Sequence, residues 1–277
     1  MSYQDIKSGT IDIGGGVQLY YEECGSGPVL LFVHGLWASG RFFHKQMQGL
    51  QGQYRVIALD LRGHGRSSMT LADQAVPVYA RDLRVFIEKL ELTEFVGVGW
   101  SMGAFVWWDY YLQFGVAGLR GLVNIDQPPS DWRSTDIPGG LITLDALRDW
   151  HYKLQTNRNT FVRDMIPMMF AKPPAPSDAS WMFDEMTRAP AVIAAAELID
   201  QSLREYQDML RGYPVPILAC SGALSAQPRE GMQMIVDRVM RGQLRVFANC
   251  GHCLFLEDAV SFNRCVDEFA SQLGAKV

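Results

Sequence analysis

A serine hydroxyl becomes a nucleophile when a base takes its proton, and an imidazole, with an ordinary pKa near 6.5, suits that task at neutral pH. The stretch VGVGWSMGAF places Ser101 between Gly99 and Gly103. A sharp strand-to-helix turn forces its central residue into a strained backbone region and crowds the neighbours, and small residues two before and two after relieve the crowding. Ser101 Oγ would then project above a sheet, at the positive end of the following helix. The plainer alternative is a serine that caps a helix N-terminus. The second reactive stretch is Cys250-Gly251-His252-Cys253. Its thiols suggest a redox or metal site; its imidazole suggests a loop built to present His252.

The thiol readings do not fit their context. A thioredoxin-type pair lies early in a small domain, at the start of a helix after its first or second strand. This pair lies near the end of 277 residues. A zinc site needs two further ligands, and no second Cys/His pair has suitable spacing. No cofactor and no metal are therefore expected. The cysteines are Cys24, Cys220, Cys250, Cys253 and Cys265, and the start MSYQDIKSGTIDIGGG has no apolar leader. Together these fit reduced thiols in a cytoplasmic compartment.

The elements that must hold such groups follow from periodicity. IDIGGGVQLYYEEC reads as two strands around a glycine turn, and PVLLFVHG as a strand buried on both faces. RFFHKQMQGLQG has helical spacing and YRVIALD is the next strand, ending in the loop LRGHGRSS. That loop lacks the G-x-x-x-x-G-K-[ST] spacing of a phosphate site. YARDLRVFIEKLEL is an amphipathic helix, with Leu83, Phe86, Ile87 and Leu90 on one stripe. EFVGVGW is a strand, MGAFVWWDYYLQFG a helix, and LRGLVNID a strand. Residues 128–213 then offer no convincing strand; they hold Trp132, Trp150, Trp181 and six methionines. Alternation resumes with PVPILACSG, REGMQMIVDRVM and QLRVFANCG, closing on the helix FLEDAVSFNRCVDEFASQL. This pattern predicts an α/β fold: a mostly parallel sheet with helices on both faces, formed by residues 1–127 and 214–277, with 128–213 as an inserted helical cap. Ligands in such sheets sit beyond the carboxyl ends of the strands.

A net charge of −5 argues against an electrostatic nucleic-acid footprint. No stretch approaches the roughly 18 uninterrupted apolar residues of a membrane span. The expected partner is a small-molecule substrate, with no nucleic acid and no membrane; the composition leaves room for a homodimer.

FVHGLW after the early strand, DLRGHGRS after the next, GWSMG, and GHCLFLEDAVSFNRCVDEF at the end resemble the α/β-hydrolase superfamily over nearly the whole chain. The likeness is to its esterases and cofactor-free haloperoxidases. It implies an oxyanion hole from the backbone N–H groups of Leu36 and Met102. It implies that His252 is the base, since this histidine alone follows the last strand with a glycine before it and a helix after it. The superfamily's acid commonly stands in a Gly-x-x-Asp turn after the strand that follows the cap. Here that stretch is CSGALSAQPRE, which has no Asp, and Glu230 falls where a helix should start. Some members place the acid after the preceding strand, which points to Asp126, with an Asx turn as its plain alternative and Asp131 as a further, merely solvated, candidate.

The resemblance implies a serine hydrolase that cleaves a carboxylic ester, thioester or lactone through an acyl-enzyme on Ser101. Trp37, Trp100, Trp132, Met165, Met169 and Trp181 are the candidate walls of a largely apolar pocket, joined by Leu36, Met102, Met168 and Met182; each alone reads better as core, and it is as a group that they suggest a pocket. No basic cluster near the motifs points to a phosphorylated substrate. Dehalogenases and epoxide hydrolases of this fold need Asp where Ser101 stands. Two alternatives stay open: cofactor-free oxygen chemistry on a heteroaromatic substrate, whose practitioners tend to carry His where Trp100 stands, and a non-catalytic ligand-binding member of the fold.

Overall fold

The computed structural model describes residues 6–133 and 140–274. Its sheet has eight strands: β1 Lys7–Asp12, β2 Gln18–Cys24, β3 Val29–Val33, β4 Arg55–Leu59, β5 Phe95–Trp100, β6 Leu119–Ile125, β7 Ile217–Gly222 and β8 Gly242–Phe247. They lie in the order β1-β2-β4-β3-β5-β6-β7-β8. The β1–β2 and β2–β4 pairs are antiparallel and the rest parallel. This is the α/β-hydrolase fold that the sequence suggests.

Position in the sheet follows composition. The uninterrupted apolar runs of β3 and β5 take the centre, where both faces are covered, and every residue of β5 is buried. β1 alternates exposed with half-covered residues and forms the edge. On one face pack α1 (His44–Leu50), α9 (Leu254–Glu257) and α10 (Ala259–Gly274); on the other lie α2 (Val76–Lys89), α3 (Met102–Phe114) and α8 (Arg229–Arg238). α3 is apolar almost all round and nine of its residues are buried, so it fills one core layer. α2 begins at Val76, three residues before the expected Tyr79, because Pro77 is at home in a first helical turn. The single C-terminal helix expected from the pattern is two, α9 and α10, with Asp258 between them in a turn at φ −125° and ψ 62°.

Between β6 and β7 the described residues form four α-helices, α4 Leu144–Thr156, α5 Arg158–Met168, α6 Pro176–Met186 and α7 Ala191–Ser202, and a short 3-10 turn at Met209–Gly212. Among the described residues of that stretch, β structure is limited to two isolated bridges, Ser130 with Glu205 and Trp132 with Ile142. Trp37, in the loop after β3, donates its indole N–H to Ala194 O of α7 at 3.1 Å. Cys253 N donates to Met169 O at 2.9 Å. The inserted helices are thus fastened to two loops at the carboxyl edge of the sheet. No described helix is long and apolar enough to cross a membrane.

Candidate active site

Ser101 occupies the turn from β5 into α3, at φ 53° and ψ −125°. That backbone region is costly for a residue with a side chain and persists because its surroundings hold it. The two flanking glycines are sterically required. A Cβ on Gly103 would stand 2.1 Å from Val33 O, and one on Gly99 would stand 2.6 Å from Gly103 O. The sequence expectation of a crowded turn is therefore met atom by atom. Met102 is the first residue of α3, where an amide has no intrahelical acceptor. Leu36 and Ser101 line the same cavity, and Gly35 between β3 and Leu36 has little room for a side chain: a Cβ there would meet Ser101 Cβ at 3.0 Å.

His252 sits five residues past the end of β8. Its Nδ1 is 2.9 Å from Asp126 Oδ2. A carboxylate only accepts, so Nδ1 carries the hydrogen and Nε2 is left to accept one. Trp100 supports the loop: its indole N–H donates to His252 O at 3.2 Å, and the two rings lie 5.4 Å apart. Asp126 is fully buried at the tip of β6, with φ 52°, a conformation that Asp and Asn tolerate better than most residues. Its Oδ1 accepts Gly222 N–H at 3.0 Å and its Oδ2 accepts the Ser225 hydroxyl at 2.5 Å. Neighbouring strands bring these groups together, since β5 pairs with β6 and β6 with β7.

The other histidines are committed elsewhere. His34 is wholly buried; it accepts Leu61 N–H at Nε2 and faces Gly35 O with Nδ1, and burial drives its pKa well below the usual imidazole value. His64 is buried against Glu197. His44 lies over the ring of Trp181, and His151 contacts Gln155.

Ser101 and His252 open on one cavity of about 150 Å³. Leu36, Trp37, Trp100, Met165, Met168 and Met169 line it as the sequence suggested. Trp132 and Trp181 are not among the lining residues. Trp181 is held away by Asp178, which accepts its indole N–H at 3.1 Å, and by Phe42 and Arg41 against its ring. Trp132 is tied to Ile142 by its backbone and packs on the core. Met182 is likewise core, and Met102 is buried inside the α3 layer. Asp131 corrects a further expectation: it is not solvated but 2% exposed, accepting N–H from Gln127 at 2.7 Å and from Gln201. Burial raises its carboxyl pKa, against the lowering pull of those two amides.

Sequence reasoning missed Glu257. One of its oxygens accepts Gly251 N–H at 2.6 Å and the other accepts Ala171 N–H at 2.8 Å, so this side chain ties the His252 loop to the inserted helices. The signal available was an acid five residues beyond His252, on the next helix.

Cys250 and Cys253 are both buried and unbridged. Burial pushes the Cys250 thiol up to about 11 and Cys253 well above its ordinary value, so neither is a ready thiolate. A Cys250→Ser, Cys253→Ser double variant is therefore expected to keep most of any hydrolytic turnover the protein shows, measured by initial rates on a p-nitrophenyl ester. Complete loss in a protein that still melts cooperatively would restore a thiol role.

The sequence profile of the alpha/beta hydrolase family matches residues 30–264. The chain is 25% identical over 261 residues to the AB hydrolase superfamily protein YisY of Bacillus subtilis (strain 168), covering 92% of this chain and 96% of that one. It is 26% identical over 277 residues to the non-heme chloroperoxidase CPO-A1 of Kitasatospora aureofaciens, covering 93% and 97%. Among solved structures, an esterase from Exiguobacterium antarcticum superposes with a TM-score of 0.90 at 23% identity, covering 95% of this chain and 98% of that one.

Proposed function

The chain belongs to the alpha/beta hydrolase family, and from that premise we propose that it cleaves a carboxylic ester, thioester or lactone of a small, largely apolar substrate through an acyl-enzyme on Ser101. The observation that carries this reading is the 2.9 Å contact of His252 Nδ1 with the buried Asp126 carboxylate, on a cavity wall that His252 shares with Ser101. In this reading Asp126 fixes the imidazole's tautomer, so that Nε2 accepts the proton of Ser101 Oγ as the oxygen attacks the carbonyl carbon. The oxyanion that forms is held by the N–H groups of Leu36 and Met102, each worth about 3 kcal/mol. His252 then gives its proton to the leaving alcohol or thiol. Water, deprotonated by the same nitrogen, attacks the acyl carbon and frees Ser101.

The cavity narrows the substrate class. Its inner space holds about one benzene ring and opens to solvent, so a longer chain can extend from it, and its tryptophan and methionine walls suit an apolar acyl or alcohol group. The whole-length similarity to a non-heme chloroperoxidase favours a second use of the same groups, in which hydrogen peroxide replaces water and the product is a peracid.

A fluorophosphonate probe is the direct test. The folded protein is expected to gain one covalent label, on Ser101, and Ser101→Ala to gain none. A folded wild-type protein that stays unlabelled would sink the acyl-enzyme reading.

A further inference from the structure

We propose that the polar part of the cavity wall selects a substrate bearing a hydrogen-bond donor, a hydroxyl or an amine, on its acyl or alcohol chain. This rests on the ester-hydrolysis reading above and deepens it. The cavity is apolar over most of its wall, and its polar lining includes Asp131, Gln201 and Gln227, which come from the loop after β6, from α7 and from the loop after β7. Asp131 Oδ1 accepts Gln127 Nε2–H and Asp131 Oδ2 accepts Gln201 Nε2–H. Because a carboxylate only accepts, it dictates which way both amides face. Gln201 must turn its nitrogen to Asp131 and its oxygen elsewhere.

That oxygen is the informative atom. Gln201 is 5% exposed and lines the cavity, and its Oε1 is buried without a hydrogen-bond partner among the described residues. Gln227 Oε1, on the same wall, is in the same condition. A buried acceptor left unmade is costly, so a ligand that supplies the missing hydrogen is favoured over one that does not. Among the described residues, no lysine or arginine lines the cavity. A ligand carboxylate or phosphate placed beside Asp131 would face it with no cation between them, whereas a hydroxyl or ammonium group could donate to Asp131 and, with a small shift of the Gln201 side chain, to Gln201 Oε1. An ammonium adds charge attraction to the carboxylate; a hydroxyl adds only the hydrogen bond.

Two matched ester series test this. On the acyl side, the p-nitrophenyl esters of ω-hydroxyhexanoate and ω-aminohexanoate are compared with p-nitrophenyl heptanoate. On the alcohol side, hexanediol monoacetate is compared with heptyl acetate. In at least one series the donor-bearing ester is expected to show kcat/KM about tenfold above its apolar counterpart, the effect of one hydrogen bond to a charged or buried group. Gln201→Leu and Asp131→Asn, each shown by thermal melting to be folded, are both expected to bring that ratio towards one. A larger gain for the amine than for the hydroxyl marks the ammonium as the preferred donor; the reverse marks the hydroxyl. The inference is overturned if the apolar esters do as well in both series, or if the preference survives both variants. No turnover on any ester, with Ser101 unlabelled by the fluorophosphonate, overturns the ester reading along with it.

Discussion

Ser101→Ala and His252→Ala are each expected to lower kcat on a small p-nitrophenyl ester by about 10⁶-fold, and the double variant by no more than the larger single loss. In the proposed mechanism the groups act in series on one proton. Without Ser101 Oγ the imidazole has no nucleophile to activate; without His252 the hydroxyl keeps its proton at neutral pH. What persists is the turnover supported by binding and by the oxyanion donors, about 10³- to 10⁴-fold over water. Neither change should unfold the protein. The strain at φ 53° belongs to the backbone turn and alanine keeps it, while His252 is partly open to the cavity. Steady-state rates corrected for spontaneous hydrolysis, beside thermal melts, check this. Multiplying losses in the double variant would show two independent roles. Ester turnover that survives Ser101→Ala but not His252→Ala would mean that His252 activates water directly, whereas oxygen uptake with a hydroxyquinolone that survives Ser101→Ala would point to the oxygen chemistry that the sequence left open.

What the sequence disclosed, and what it hid, divides along a physical line. The turn at Ser101 was legible because its demands are local: Val33 O lies 2.1 Å from where a Gly103 Cβ would be, so glycine is written into the motif itself. β3 and β5 were legible because a strand covered on both faces must be apolar throughout. Asp126 became a candidate through a gap, the missing Asp in GALSAQ, together with its place at a strand tip. The cavity wall was less legible. Tryptophans and methionines between β6 and β7 are alike in composition, yet Met165 and Met169 reach the cavity while Trp181 is turned away by Asp178, Phe42 and Arg41. Only long-range packing separates them. Asp131 was misread for the same reason. An aspartate after two prolines suggests a solvated turn, and its burial depends on Gln201, seventy residues away.

The position of the acid yields the second large effect. Asp126→Asn is expected to lower kcat by about 10⁴-fold, because an amide at that site no longer enforces the tautomer with Nε2 free nor balances the imidazolium. Adding Ser225→Asp to that variant should return about 10²-fold of the loss. Ser225 stands at the fourth position of Gly222-Ala223-Leu224-Ser225, where the superfamily pattern has its Asp, and its hydroxyl lies 2.5 Å from the very oxygen that contacts His252. A carboxylate introduced at position 225 is therefore within reach of Nδ1. Asparagine is the right replacement at position 126, since it tolerates φ 52° and its amide N–H can donate to the new carboxylate. Gly222 N–H, which now binds Asp126 Oδ1, can equally serve the asparagine oxygen. Recovery should be partial, because the loop after β7 is more exposed than the tip of β6 and will hold the carboxylate less firmly. The comparison is kcat for the wild type, Asp126→Asn and the double variant on one ester, at equal fluorophosphonate-independent protein concentration. A double variant no faster than Asp126→Asn, yet equally folded, would mean that the acid works only from β6. Near-wild-type turnover by Asp126→Asn alone would remove Asp126 from the mechanism.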